Sequence, residues 1–315
     1  MTQIEDTSRE YRIDPDSFAG GYFRNAVYRH WDPYEDIPQE LLEEDRQKLI
    51  DSEMTEAEFD GLRSTLALFG AGEEAVTEDL APLAIVLSDI NDQMFITSQL
   101  YEEAKHTQFF DRYWREVIDP VADERGFEVT RPTDQRYFNE DYITLFDKNE
   151  AAMKRLLTED TPETRAKAYC HYHLTVESVL AQTGYYGLQA SFSPTGPDML
   201  DEDAESIHLE GLIEGITYIR SDEGRHVGFG MQKVRDLIQN GEVEPDVVQN
   251  TLQELMGHVA GAVQSDDMTI DAAPLVEYAQ GKITRRIEIL TEAEAELPPV
   301  EELVKIEGTE DATAD

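Results

Sequence analysis

The sequence predicts an all-α protein built as one helical bundle. Three observations point there. Strand signals are scarce along all 315 residues, apolar residues recur at helical spacing over long stretches, and no repeat or linker divides the chain. Residues 1–35 read as an irregular lead-in, because "FAGGYFRNAVYRHWDPYEDIP" mixes aromatics with glycine and proline. A first helix is expected over 37–50, and Thr55 is placed to cap a long one running to about residue 88. Another is expected over 91–118, stopping at Asp119-Pro120, because proline disfavours helical backbone at the residue before it. The loop "RGFEVTRPTDQRYFNED" leads to a helix over 141–157. Thr161-Pro162-Glu163-Thr164 opens one reaching about residue 190, with proline at a first-turn position where its missing N–H costs nothing. After the break "SFSPTGPDMLDEDAES", helices are expected over 205–239, 245–264 and 272–293, then an acidic, loose tail over 294–315. The expectation is one helical domain over 36–293, with about eight helices, four of them long enough for a bundle core.

Lysine and arginine number 26 against 68 aspartate and glutamate, a formal net charge of -42. Such a surface repels nucleic acid and anionic membrane, so neither is an expected partner. The acid is spread through periodic apolar segments rather than gathered in a block, which argues against disorder. The pattern suits a halophilic protein from a very salty cytoplasm, where salt screens self-repulsion and carboxylates keep the surface hydrated. No apolar run approaches the roughly 20 residues of a membrane-spanning helix. "MTQIEDTSRE" lacks the basic and apolar regions of a signal peptide. Cys170 is the single cysteine, which permits no internal disulfide, fits a reducing cytosol, and reads as a small buried hydrophobe.

The chemistry concentrates in two pairs. "LYEEAKHTQFF" places Glu103 and His106 three apart, and "SDEGRHVGFG" does the same with Glu223 and His226. On a helix that spacing puts both side chains on one face, close enough to hold one metal ion. A bare Glu-x-x-His is weak evidence in a chain with 39 glutamates and 7 histidines. A third match, Glu205 and His208, follows acids at a helix start, where the dipole favours them, and reads as surface. It lies 18 residues before Glu223, about 27 Å along one helix, too far to share its site.

A di-metal carboxylate bundle also needs one acid from each of two further helices. Glu177 sits in "HLTVESVLAQTGYYG" with no other charge beside it, and Glu73, Glu74 and Glu78 compete for the other place in "LALFGAGEEAVTEDLAPLAIVL". The order is then Glu, Glu-x-x-His, Glu, Glu-x-x-His, one per long helix. Asp222, just before Glu223, is placed to hold a ligand histidine from behind. Oxygen ligands with only two nitrogens favour iron or manganese over structural zinc, and such a centre in an apolar cavity suits reaction with dioxygen.

At these residues the chain resembles the ferritin-like superfamily, in the branch of the ribonucleotide reductase small subunit. Within it the match is to the ligand-binding oxidase family related to that subunit. The stretches "FAGG", "WDP", "AGEEAVTEDLAP", "YEEAKHTQ", "VESVLAQTGYY" and "DEGRH" carry the likeness over about residues 18 to 230. The resemblance implies a heterodinuclear manganese–iron centre, with di-iron as the alternative, held by Glu73, Glu103, His106, Glu177, Glu223 and His226, and it selects Glu73 over Glu74. It implies a bound long-chain fatty acid, dioxygen as co-substrate, a homodimer, and an ether cross-link between Val76 and Tyr172. On an ideal helix Tyr172 would lie about 140° from the face of Glu177, so either the side chain reaches around or the helix is distorted. Departures from the family pattern are Gly224, where a charged residue is expected, and the inserted "SFSPTGPDMLDEDAES".

The competing reading is the ribonucleotide reductase small subunit itself, a radical generator. Many such subunits carry a tyrosine where this chain has Phe110, and they need a relay tyrosine in a C-terminal tail. The last tyrosine here is Tyr278. A ferritin-type storage protein is built from shorter four-helix chains.

Overall fold

The computed structural model describes residues 12–197, 207–263, 272–292 and 297–306, and these form helices with no strand among them. The helices are α1 (Phe18–Tyr28), α2 (Gln39–Asp51), α3 (Glu56–Asp79), α4 (Ala81–Val86), α5 (Ile90–Tyr113), α6 (Asp119–Arg125), α7 (Glu140–Leu156), α8 (Pro162–His171), α9 (Gln182–Phe192), α10 (Glu210–Gln239), α11 (Pro245–Ala262), α12 (Ala272–Thr291) and α13 (Val300–Leu303). Two π-helical stretches, Trp114–Ile118 and Tyr172–Ala181, join α5 to α6 and α8 to α9 without a break.

Four boundaries differ from the sequence expectation, each for a physical reason. The lead-in is not wholly irregular. Ser17 caps α1 by accepting from the Gly20 amide at 3.1 Å, and α1 lies against α5. Gly20 is required there, since a Cβ would stand 2.1 Å from the Asp14 carbonyl oxygen. Thr55 does start α3, through a reciprocal capping box with Glu58, but the helix breaks at Leu80 ahead of Pro82. Pro120 does not stop the third long segment. The π turn hands the ladder over at Asp119, whose N–H bonds Trp114, and Pro120 then occupies the first turn of α6, where no N–H is needed. The acidic tail is not loose over 297–306. Leu303 and Ile306 are buried, and three cations hold carbonyls of this strap: Arg286 at Leu303 (2.6 Å), Arg220 at Val304 (2.7 Å) and Lys282 at Lys305 (2.8 Å).

The core divides into two apolar clusters, one around Phe95, Tyr172 and Phe229, the other around Trp31, Phe109 and Tyr185. Between them α5 and α10 pack closely, because at Gly215 a Cβ would meet the Phe109 ring at 2.1 Å. Cys170 is a buried free cysteine of the first cluster. Gly224 answers to the strap, since a Cβ there would stand 2.9 Å from the Val300 carbonyl oxygen.

The start of α10 is fixed by Asp45, fully buried on α2, which accepts from the Leu212 amide at 2.9 Å and from the Tyr113 hydroxyl at 3.1 Å. Burial pushes its carboxyl up to about 6, against the bonds from Leu212, Gly211 and Tyr113 that pull it down. A folded-state value raised above the unfolded one makes ionisation oppose folding, so the contribution of Asp45 worsens as pH rises from about 4 through 6. Asp45→Asn stays neutral. Urea unfolding at fixed salt should show it gaining on the order of 2 kcal/mol relative to the parent chain between pH 4 and pH 7.

Candidate metal centre

The six expected ligands converge at the middle of the bundle, and all are buried. Glu73 comes from α3, Glu103 and His106 from α5, Glu177 from the π-helix, and Glu223 and His226 from α10. Glu74 and Glu78 point outward and are exposed, so Glu73 is the acid that α3 turns inward. His106 Nδ1 lies 3.4 Å from Glu73 Oε2 and 3.5 Å from both Glu103 Oε2 and Glu223 Oε1. His226 Nδ1 lies 3.2 Å from Glu103 Oε1, 3.3 Å from Glu177 Oε1 and 3.5 Å from Glu223 Oε2. Each set of four can offer one ligand atom per residue, all within 4.8 Å of one another. Glu103 and Glu223 belong to both sets and present a different oxygen to each. They are therefore placed to bridge two ions.

The outer faces of the two histidines are held crosswise. His106 Nε2, on α5, donates to Asp222 of α10 at 3.1 Å, and His226 Nε2, on α10, donates to Glu102 of α5 at 2.8 Å. Both imidazoles are thereby fixed with Nδ1 directed at the carboxylates. Lys105 pairs with Asp222 at 2.8 Å, and Arg225 bonds both Glu102 and Asp222. Trp31 Nε1 donates to Asp222 at 2.8 Å. The sequence reading found Asp222 and missed Glu102, Lys105, Arg225 and Trp31. The signal was present: "EEAKH" and "DEGRH" share the order acid, Glu, small, basic, His.

The electrostatics fit a pair of cations. Burial pushes Glu73, Glu177 and Glu223 upward, reinforced by their negative neighbours. Burial acts on Glu103 too, but His226 and His106 outweigh it and hold it low. Both histidines rise well above the usual imidazole range, because the surrounding carboxylates outweigh the effect of burial. Asp222 is held low against burial by His106, Lys105 and Arg225. Glu103 Oε2, Glu177 Oε2, Glu223 Oε2, His106 Nδ1 and His226 Nδ1 have no hydrogen-bond partner among the described residues. Five inward-facing ligand atoms without hydrogen-bond partners, in a cluster that holds protons on its imidazoles until another cation replaces them, match the needs of metal ligation.

Tyr172 and Val76 both line one cavity with Glu73, Glu103, Glu177 and Glu223. The π-helix resolves the angular problem of Tyr172. Hydrogen bonds from i to i+5 bring residues five apart onto one face, so Tyr172 and Glu177 point the same way. The Tyr172 hydroxyl donates to Glu103 Oε1 at 2.7 Å. Phe110 lies in the opposite cluster, stacked on Phe69, which in turn stacks on Tyr185. Glu205 lies outside the described residues. His208 is only half-buried, on the approach to α10.

The crosswise bracing makes a test. Glu102→Gln and Asp222→Asn each keep the shape and lose the charge behind a histidine, so each should weaken Mn(II) binding about tenfold in calorimetric titration. Glu74→Gln should leave binding unchanged.

No family model matches the chain. Solved structures do. A tyrosine-to-phenylalanine variant of an R2-like ligand-binding oxidase with aerobically reconstituted Mn/Fe cofactor aligns at a TM-score of 0.74 and 27% identity, covering 88% of this chain and 94% of that one. A valine-to-leucine variant with anaerobically reconstituted Mn/Fe cofactor aligns over the same shares at 0.73 and 27%. A glycine-to-leucine variant with aerobically reconstituted Fe/Fe cofactor aligns over them at 0.72 and 26%. In fold the chain is similar to the R2-like ligand-binding oxidases, its own buried Glu and His residues form two sets that could hold metal ions, and it is an oxidoreductase.

Proposed function

We propose that the chain is a dioxygen-activating di-metal oxidase of C–H bonds. Its manganese–iron pair, with di-iron as the alternative, would be held by Glu73, Glu103, His106, Glu177, Glu223 and His226. One observation carries the reading: two oxygen-rich ligand sets share Glu103 and Glu223 and border a cavity with apolar walls. Sets with one nitrogen and three carboxylates suit manganese and iron. Bound there, such a pair supplies the redox equivalents that reduce dioxygen.

The chain's own residues position the rest. The lining of the cavity follows α3 from Gly61 to Val76, roughly 22 Å of helix. Carboxylates stand at one end, and the walls beyond are mainly apolar. That shape supports an elongated amphiphile, a long-chain fatty acid, with its head at the centre and its chain along α3. Tyr172 is the residue placed to react. Burial raises its phenol well above the ordinary range, ahead of the charges on Glu103, Glu177 and Glu223, so it stays protonated and donates to Glu103. Loss of hydrogen from a Val76 carbon and from the Tyr172 hydroxyl joins them as an ether. Two protons and two electrons pass to dioxygen, and Glu103 Oε1 is placed to receive the phenolic proton.

The radical-generating alternative finds less support. Phe110 stands where many such subunits carry tyrosine, and residues 297–306 are packed against the chain's own helices. Among the described residues no helix is long and apolar enough to cross a membrane. The net charge of -42 supports work in a salt-rich cytoplasm, and a homodimer is the expected assembly.

Peptide mass mapping of protein made in air and without oxygen tests the cross-link. The Val76 and Tyr172 peptides should run as one species, two hydrogens lighter than their sum, only after oxygen exposure. Separate peptides in metal-loaded, air-exposed protein would overturn it and favour the radical subunit. Glu103→Ala and Glu223→Ala should abolish metal loading, while Glu205→Ala should not; full metal content in the first two would sink the ligand assignment.

A further inference from the structure

Gln99 and His173 stand beside the centre and belong to neither ligand set. We propose that Gln99, with its amide turned by His173, is the positioning residue that fixes the Glu177 carboxylate on the His226 side of the centre. The proposal rests on the di-metal reading above and extends it by one residue pair.

Gln99 lies on α5 one turn before Glu103 and is fully buried. Its Nε2 donates to Glu177 Oε1 at 2.9 Å and lies 3.5 Å from Glu103 Oε1. These are the two oxygens that face His226 Nδ1, at 3.3 Å and 3.2 Å. A carboxamide has two ends of opposite character. Turned about, Gln99 would set its carbonyl oxygen against two carboxylate oxygens, and acceptor would face acceptor.

His173 selects the productive direction. Its Nε2 lies 3.2 Å from Gln99 Oε1, and since that oxygen only accepts, the ring must carry its proton on Nε2. The other nitrogen, Nδ1, is buried without a partner among the described residues. The ring is enclosed by Tyr169, Tyr172 and Phe229, with centroids 5.4, 4.7 and 6.0 Å away. Burial keeps it neutral, so a single proton is present and Nε2 is where an acceptor meets it. Gly230 of α10 makes the room, because a Cβ there would stand 2.2 Å from the His173 Cβ.

Glu177 has particular need of this support. Glu103 and Glu223 are tied into both ligand sets, whereas among the described residues Glu177 enters only the His226 set. A lysine in place of Gln99 would bring positive charge that competes with a cation, and a glutamate would repel. An amide donates without changing the charge of the centre.

The test is calorimetric titration of metal-free protein with Mn(II), alongside the spin-coupled electron paramagnetic resonance signal of the filled pair. The parent chain should show two binding events. Gln99→Leu should weaken one event about tenfold, leave the other nearly unchanged and diminish the coupled signal. His173→Leu should do the same, and His173→Gln, which keeps an N–H toward Gln99, should restore both. Should Gln99→Leu fail to fold, Gln99→Asn, which draws the amide back from Glu177, takes its place. Unchanged affinities in folded variants would overturn the proposal. So would an equal loss at both sites in step with thermal stability, or no rescue by His173→Gln. Absence of metal uptake by the parent chain would instead overturn the di-metal reading.

Discussion

Four carboxylates buried within a few ångströms of one another are the constraint on which the rest of this molecule depends. In a low-dielectric interior such a group is tolerated only if positive charge enters it or protons neutralise it. The surrounding architecture meets this demand in layers. Two imidazoles stand inside the cluster, a fixed amide donates to one edge, a phenol donates to another, and a lysine and an arginine lie just behind. The two acids that stand behind the imidazoles, Glu102 and Asp222, are themselves paired with that lysine and arginine. This is notable in a chain where acids outnumber bases 68 to 26.

The bracing behind the histidines is close to two-fold in character. α5 supplies the acid for the histidine of α10, and α10 supplies the acid for the histidine of α5. Neither helix can shift along the other without pulling both imidazoles from their orientation, and Arg225 ties the two acids together. The close approach at Gly215 holds the helices at the separation this exchange needs. Specific geometry at the centre is thus secured by helix packing outside it.

Much of this was legible in the sequence. Helical periodicity marked the long helices, a Glu-x-x-His pair on two of them and the isolated Glu177 on a third marked five of the converging residues, and on the fourth the family resemblance selected Glu73 from Glu73, Glu74 and Glu78. What remained hidden was set by tertiary context. The π-helix over Tyr172–Ala181 leaves no compositional trace, yet it turns Tyr172 toward Glu177. The helix at Phe18–Tyr28 carries two glycines that speak against helix and is stabilised by packing on α5. Gln99 and His173 have ordinary surroundings in sequence, and only the fold brings them to Glu177. Glu102 was hidden by its neighbour: in "EE", one glutamate faces the centre and the other faces away from it toward the partner helix.

The strap over residues 297–306 has a consequence for biosynthesis. It meets α10 at Gly224, next to Glu223, and is held there by cations of α10 and α12. Chains emerge from the ribosome N-terminus first. The helix that carries Glu223 and His226 is therefore made some 60 residues before the segment that covers its outer side. During that interval α10 can pack on α5 but stays bare at Gly224. The centre is then complete in its ligands before residues 297–306 complete its enclosure.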